Sequence, residues 1–373
     1  MFTAIGYIDS GHGHDDGLKE VKLQNLDGNF VDSVTAGEAG VMQAASSATM
    51  PSADGNWESV NLINQAGANT WPIVAISYLL VHQDQTANGE TGNLLKAYLT
   101  MTMDSTIGGQ AIASNYNFIP ITAAMRAVNT AAIATITTAN AAPAFVFETS
   151  SDTTIGPAAT TFSVKRQSHE MRLLEKHAAE LELITGSSGS LTAIAATLKE
   201  GHDTSIPLEM HGSGTTNPSK MMWKMMAALK GMAIRPLHMS YRAIGSSSGI
   251  AEFKAGNSHF GSAEIPLTPQ DKVDISGDAN APADVLQLPL VLGAMSAFHS
   301  LPAEYLSPFS TYLKLSPCVL AKIFARQITS WDDAEIVALN PAANLPSRGI
   351  IMLHRKKGSS TTNFFTKYEF HQF

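Results

Sequence analysis

The sequence carries little charge, a single cysteine and no long apolar run. Of its 373 residues 15% are charged and 44% are hydrophobic, and the formal net charge is -8. Because no basic stripe offsets the acidic excess, we expect no nucleic-acid partner. Cys318 alone excludes an internal disulfide and a multi-cysteine metal site, and its apolar neighbours predict a buried thiol. No stretch reaches the roughly 18 apolar residues that a membrane-spanning helix needs, so we expect no membrane span.

The chain divides into three parts by pattern. Residues 1–130 alternate strand-like and helix-like stretches, and residues 208–373 do so again, which predicts an α/β fold. Residues 131–207 are rich in Ala, Thr and Ser and are predicted to be a linker. Within that linker, residues 164–184 have apolar side chains at helical spacing among Glu and Lys, which predicts one charged amphipathic helix.

Three turns rich in glycine and hydroxyl side chains each lead into a predicted helix. They comprise residues 212–217, 245–249 and 358–362. The first turn of a helix has unpaired N–H groups and a partial positive charge, and glycine lets that backbone approach a ligand closely. Three such turns in the second half of the chain predict that three helix starts together hold one oxyanion.

The second half resembles the phosphate-specific substrate-binding proteins of ABC transporters through five ordered motifs. The matching positions are Gly212, Gly214, Thr216 and Pro218 in the first turn, residues 244–249 in the second, Phe260, Gly261, Glu264, Pro266 and Leu267 after it, residues 323–333 and 339–341 in a helical region, and Arg355, Gly358, Ser359 and Thr361 in the third turn. The resemblance implies a bilobal, type II periplasmic-binding-protein-like α/β fold.

The first half resembles the other end of the same family. Residues 4–7 and 64–73 are similar to the family's late segments, so the chain runs in the order family end, linker, family beginning. Residues 1–130 then form the C-terminal part of one domain, and residues 208–373 form the N-terminal part of a domain. Two interpretations follow. The chain is a piece of a tandem array with an incomplete domain at each end, or it is a circular permutant whose halves meet in one domain.

The resemblance implies inorganic phosphate as the ligand, bound without a cofactor. The site that it implies consists of Thr216, Asn217, Ser246, Glu264, Arg355, Ser359, Ser360 and Thr361. Hydroxyls, helix-start N–H groups and the Arg355 guanidinium donate to the anion, whereas Glu264 accepts. A carboxylate favours an anion that still carries a proton, so Glu264 predicts discrimination between phosphate and sulfate.

The chain departs from the family pattern at several of these positions. Glu264 stands where the family has Asp, Asn217 where it is commonly aromatic, and Ser360 where it has glycine. The longer arm of Glu264 is expected to shift the pocket. Lys356 and Lys357 precede the third turn, where the family often has an acid, and are expected to raise anion affinity and loosen selectivity.

Three function classes stay open at this point. The first is phosphate capture for uptake, with an ABC transporter permease as partner and a periplasmic or cell-surface location, although no signal-peptide pattern opens the chain. The second is a phosphatase or other phosphoryl-handling enzyme using the same pocket, and the third is a structural surface protein built of repeats. Residues 10–16 carry two histidines and two aspartates that suit a metal, but a polar surface loop is the preferred interpretation because no second ligand cluster is evident.

Overall fold

The computed structural model describes residues 3–106, 108–139, 144–147, 161–164, 207–233, 236–280, 282–306, 312–355 and 359–370. Its strands are β1 (Ala4–Asp9), β2 (Lys19–Gln24), β3 (Phe30–Val31), β4 (Val74–His82), β5 (Ala144–Phe147), β6 (Thr161–Val164), β7 (Leu208–Gly214), β8 (Leu237–Ala243), β9 (Phe260–Ala263), β10 (Val285–His299), β11 (Leu313–Leu315) and β12 (Ile351–Leu353). Its helices are α1 (Ser10–Asp15), α2 (Ser33–Ser46), α3 (Glu90–Met103), α4 (Gly109–Ile112), α5 (Ala123–Thr135), α6 (Ser219–Met232), α7 (Ser246–Lys254), α8 (Pro269–Ser276), α9 (Pro317–Phe324), α10 (Ala334–Leu339) and α11 (Ser360–Phe370).

One mixed sheet of ten strands contains elements from both halves of the chain. Its main order is β11-β2-β10-β4-β9-β7-β8, β1 pairs with both β10 and β12, and β3 pairs with β2. The strands of the first half therefore lie between strands of the second half. The α/β fold expected from the sequence is confirmed.

The antiparallel pair of β4 and β10 forms the centre of this sheet. All fifteen residues of β10 are buried, and eight of the nine residues of β4 are buried. Such continuous apolar runs are typical of strands covered on both faces. The first part of β10 pairs with β4 from Val285 to Ala294, and its end pairs with β1 and β2. Strand β10 therefore connects the part of the sheet that contains β4 with the part that contains β1 and β2.

An irregularity in β10 lies within the stretch that pairs with β4. The register shifts between Pro289 and Val291, where proline has no N–H to donate to the ladder. Asn129 donates to the Pro289 carbonyl at 2.7 Å, and Gln110 donates to the Leu290 carbonyl at 2.8 Å. Side-chain amides from the first half thus satisfy carbonyls that the ladder leaves free.

The helices cover the sheet through apolar faces that the sequence spacing indicates. In α6 the buried side chains are Met221, Met222, Met225, Met226 and Leu229. In α11 Phe365 and Tyr368 are buried, and Phe365 stacks on Tyr7 of β1 with ring centroids 4.8 Å apart. These contacts fix the start of each helix relative to the sheet.

Some local expectations differ from the structure. Helix α5 spans Ala123–Thr135, and Thr122 caps it by accepting from the Met125 N–H. This helix passes residue 130, and the parallel pair β5–β6 lies within residues 131–207. Cys318 is half-buried, not buried, because it lies on the first turn of α9. The charged helix expected over residues 164–184 lies outside the described residues apart from Val164, which ends β6.

No helix in the described part of the chain combines the length and the apolar character that a membrane crossing requires.

Candidate functional site

The first turn follows β7, where Gly214 lies too close to β9 for any side chain. A Cβ at Gly214 would stand 1.9 Å from the Ser262 carbonyl oxygen. The next residue, Thr215, donates its N–H to that same carbonyl at 2.9 Å. The chain then passes Thr216 and Asn217 into α6. Glycine at this position therefore brings the start of α6 against the end of β9, beside Glu264.

The second turn meets the first through backbone hydrogen bonds. The N–H groups of Ile244 and Gly245 both donate to the Gly214 carbonyl at 2.9 Å. Gly245 has φ +90°, a conformation that side chains rarely allow. Because of this bend, α7 begins at the buried Ser246 and packs its first turn against the end of β7 at Gly214.

The third turn is attached to the first half of the chain. The Tyr7 hydroxyl of β1 lies 2.8 Å from the Thr362 hydroxyl in α11. Ser360 is buried at the start of that helix, and Ser359 lies just before it. Lys356, Lys357 and Gly358, which the sequence analysis singled out, lie outside the described residues.

One cavity between the three turns is lined by all eight residues that the resemblance indicated, together with two further residues of the turns. The lining consists of Thr215, Thr216, Asn217, Gly245, Ser246, Glu264, Arg355, Ser359, Ser360 and Thr361. Its volume is about 20 Å³, which is close to the space that one water molecule needs. The structure therefore places these residues around a single small polar cavity.

Glu264 lies at the bottom of this cavity and accepts hydrogen bonds from three elements. It is 1% exposed. Ser360 donates to Oε2, and Asn217 Nδ2 donates to Oε1 at 2.5 Å. Ser77 of β4 donates to Oε1 at 3.4 Å. The side chain of Asn217 therefore binds this carboxylate directly.

Burial raises the pKa of Glu264 from 4.5 to about 7. Removal of the carboxylate from water disfavours its charged form most strongly, and the negative charge of Asp9 adds to this effect. The hydrogen bonds from Ser360, Asn217 and Ser77 act in the opposite direction, because they stabilise the carboxylate. The side chain is consequently balanced between its charged and neutral forms near neutral pH.

The remaining groups around the cavity favour a negative charge. The cavity lies at the start of α6 and α11, where helix N–H groups are not paired within the helix. Arg355 is exposed at its rim and supplies a full positive charge. Ser246 accepts from the Glu264 N–H at 3.3 Å and donates to the Ser360 hydroxyl at 3.4 Å, so the hydroxyls form a connected network. This arrangement suits a small oxyanion that can both accept and donate.

Two residues near Glu264 were not expected from the sequence. Ser77 is the hydroxyl residue inside the apolar strand β4, and an isolated hydroxyl in a buried strand was the signal for it. Asp9 ends β1, is 1% exposed and has no hydrogen-bond partner at Oδ2. No sequence signal links Asp9 to Glu264, since the proximity arises only when the two halves share a sheet.

The histidines of residues 10–16 have separate partners. His12 Nδ1 lies 3.3 Å from Asp9 Oδ1, whereas His14 Nε2 lies 3.3 Å from Glu20 Oε2. Most of this segment forms α1, capped by Asp9, and is not the surface loop that was expected. Among the side chains that the structure describes, no group of three or more His, Cys, Asp or Glu is arranged to hold a metal ion.

Comparison with known proteins gives a family and several relatives. A family model described as a PBP superfamily domain matches residues 151–372. The phosphate-binding protein PstS of Haemophilus influenzae is 35% identical over 130 residues, which is 35% of this chain and 35% of that protein. PstS of Xylella fastidiosa is 34% identical over 130 residues, covering 35% of this chain and 32% of that protein. PstS 3 of Mycobacterium tuberculosis is 32% identical over 130 residues, covering 35% of this chain and 33% of that protein.

The chain spans about a third of the length of the curated relatives that it matches. Among solved structures, a phosphate-binding protein of a phosphate ABC transporter from Streptococcus pneumoniae aligns with 88% of this chain and 76% of its own chain. That alignment has a TM-score of 0.43 and 15% sequence identity.

Proposed function

Because this chain belongs to the PBP superfamily, whose family model matches residues 151–372, we propose that it binds inorganic phosphate between the three turns. The ligand contacts in this proposal are Thr216, Asn217, Ser246, Glu264, Arg355, Ser359, Ser360 and Thr361, all of which line the same cavity. The relatives named phosphate-binding protein, at 32–35% identity, support the choice of ligand.

The observation that carries this proposal is a buried acceptor among donors. Glu264 is 1% exposed and accepts from Ser360 and Asn217, so its carboxylate is directed at the cavity. An oxyanion that enters must share this carboxylate, and only an anion with its own proton can donate to it. At a pH above the pKa of Glu264 its carboxylate is charged, and hydrogen phosphate still has a proton to donate to it, whereas sulfate leaves two negative groups in contact.

Binding requires a local rearrangement of the cavity. About 20 Å³ is too little room for a tetrahedral oxyanion, because Ser360 and Asn217 reach across the cavity to Glu264. Rotation of these two side chains turns their donors toward the ligand and exposes the carboxylate. The ligand then replaces the hydrogen bonds that Glu264 loses.

We propose that the site captures phosphate without chemistry. A phosphatase needs a nucleophile with an activating base, or a metal, at the reacting phosphorus. Among the described residues that line the cavity there is no histidine, and Glu264, the base beside Ser360, also accepts from Asn217 and Ser77. Release of phosphate from p-nitrophenyl phosphate that disappears with Ser359→Ala or with Ser360→Ala would replace this proposal by an enzymatic one.

The biological role that we propose is delivery of phosphate to an ABC transporter permease, with this protein located in the periplasm or at the cell surface. It rests on the motif resemblance to substrate-binding proteins and on the relatives' names. Phosphate uptake measured in cells that lack their own phosphate-binding protein tests this role. Uptake that does not rise when the whole protein is supplied would contradict it.

Titration calorimetry of the chain with phosphate and with sulfate tests the binding proposal directly. At pH about 9, two units above the pKa of Glu264, we expect saturable phosphate binding and at least about a hundredfold weaker sulfate binding, since a buried carboxylate that sulfate cannot satisfy costs on the order of 3 kcal/mol. Equal affinities for the two anions would contradict the role given to Glu264. Absence of binding to either anion would contradict the proposal as a whole.

A further inference from the structure

A second and larger cavity lies along β1. Its volume is about 300 Å³, and its lining is almost entirely apolar. The residues that matter for its chemistry are Gly6, Ile8, Leu18, Phe298, Leu353 and Arg355. A volume of this size is at the lower end of the range for small-molecule sites.

The cavity occupies the face of the sheet opposite to α11. A Cβ at Gly6 would lie 3.1 Å from Leu353 Cβ, so Leu353 is on the Gly6 side of the sheet. Residues alternate between faces along a strand, which places Ile8 with Gly6 and places Tyr7 on the side of Phe365. Leu353 packs over Gly6, and its side chain bounds the cavity together with side chains of the neighbouring strands.

Large apolar side chains around this cavity remain in contact with water. Ile8 is 37% exposed, Leu18 is 45% exposed and Leu353 is 59% exposed. Contiguous exposed apolar surface of this kind marks a binding site more often than isolated exposed residues do. A ligand with an apolar body gains by covering these side chains.

One positively charged side chain, Arg355, lies beside the apolar lining. Arg355 lines this cavity and also lines the polar cavity that contains Glu264. It is exposed and lies two residues after Leu353, the register partner of Gly6, and continuing this parallel register places it level with Ile8. From Ala4 to Ile8 the cavity follows β1 for about 13 Å, given the rise per residue of an extended strand. Apolar walls of this length with a guanidinium at one end complement an alkyl chain that ends in a carboxylate.

We propose that this cavity binds a medium-chain monocarboxylate, with its alkyl chain along β1 and its carboxylate on Arg355. The two cavities then compete for one guanidinium. By thermodynamic linkage, the carboxylate lowers phosphate affinity by the same factor by which phosphate lowers carboxylate affinity.

Calorimetric titration of the full chain with sodium decanoate in phosphate-free buffer tests the site by itself. We expect one-to-one saturable binding, weaker binding of decanol, and at least about a tenfold loss of decanoate affinity in Arg355→Gln, the size that loss of a charge-assisted hydrogen bond gives. Leu18→Glu adds a negative charge inside the cavity, and its affinity for decanoate is expected to fall by a similar factor. Leu26→Glu is the matched control for Leu18→Glu, because Leu26 is 52% exposed and does not line the cavity. The affinity of Leu26→Glu for decanoate is expected to equal that of the unmodified chain.

Equal affinity for decanol and decanoate, or unchanged binding in Leu18→Glu, would overturn the proposal. Self-association of the chain in place of one-to-one binding would overturn it too, by making this face a protein contact. The competition is tested by titrating decanoate in the presence of phosphate and phosphate in the presence of decanoate. Each ligand is expected to lose affinity by the same factor when the other is present. If phosphate itself fails to bind, the proposed function fails, whereas the phosphate-free titrations still decide the carboxylate site.

Discussion

Ser360 donates a hydrogen bond to the Glu264 carboxylate across 96 positions of the chain. The donor stands at the start of α11 and the acceptor just past the end of β9, and both side chains are buried. The same carboxylate accepts from Asn217 at the start of α6. Glu264 therefore holds two helix starts together, and any ligand that competes for it changes the contacts between them.

Replacement of Glu264 by glutamine tests the discrimination between anions. Gln keeps the shape but removes the negative charge, so we expect Glu264→Gln to bind phosphate about tenfold more weakly and sulfate more tightly than the unmodified chain. Calorimetry with both anions measures the ratio. Glu369→Gln is the control, because Glu369 is also buried with its pKa raised to about 7 but does not line the cavity. A ratio that is the same in both variants would contradict the assignment.

The raised pKa of Glu264 predicts a pH-dependent contribution to stability. Burial raises the pKa from 4.5 to about 7, so between these values the folded chain binds a proton that the unfolded chain has lost. The free energy of unfolding therefore falls by up to about 3 kcal/mol as pH rises through this window, and Glu264→Gln lacks this loss. Denaturant unfolding of both chains across the window measures the difference. The prediction would be contradicted if the free energy of unfolding changed with pH in the same way in both chains.

His299 predicts the opposite trend in acid. Burial, with a smaller contribution from Lys19, lowers its pKa from 6.5 to about 4. Between these values the unfolded chain binds the extra proton, so stability falls by up to about 3 kcal/mol as pH decreases through them. His299→Asn keeps an acceptor for the Leu301 N–H, now bonded to Nδ1 at 3.1 Å, and is expected to remove this loss.

Denaturant unfolding near pH 4.5 and near pH 7 measures the effect of His299→Asn. The same substitution at His238, whose side chain is 64% exposed, is the control and is expected to leave the trend unchanged. An acid loss that persists in full in His299→Asn would assign the loss to other groups.

Gly214 is expected to tolerate no side chain. In Gly214→Ala the new Cβ meets the Ser262 carbonyl, so we expect a loss of about 3 kcal/mol in the free energy of unfolding and loss of phosphate binding. Gly231→Ala in α6 is the matched control, because its Cβ meets nothing within 4 Å. It is expected to gain up to about 1 kcal/mol, since alanine favours a helix interior. Thermal unfolding compares the two variants, and equal melting temperatures would contradict the close approach at Gly214.

The sequence was sufficient to predict the turns and their common cavity. Gly214 and Gly245 mark bends that only glycine accommodates, and the hydroxyl residues beside them are fixed in position by those bends.

Local patterns did not decide between the two interpretations of how the halves of the chain are related. Asp9 approaches Glu264 because β1 pairs with β10, and Tyr7 contacts Thr362 because β1 also pairs with β12, the strand before α11. The side-chain bond from Asn217 to Glu264 also depends on the exact approach of α6 to β9. Such contacts depend on packing between distant segments, which residue spacing does not encode.

The position of β4 between β9 and β10 affects how the chain is made. A ribosome completes β4 long before it reaches either partner strand, since both lie after residue 259. During that interval both edges of an apolar strand have unpaired N–H and C=O groups. The nascent first half therefore exposes an aggregation-prone strand until β9 and β10 emerge, and the rate of translation through the intervening residues sets how long that exposure lasts.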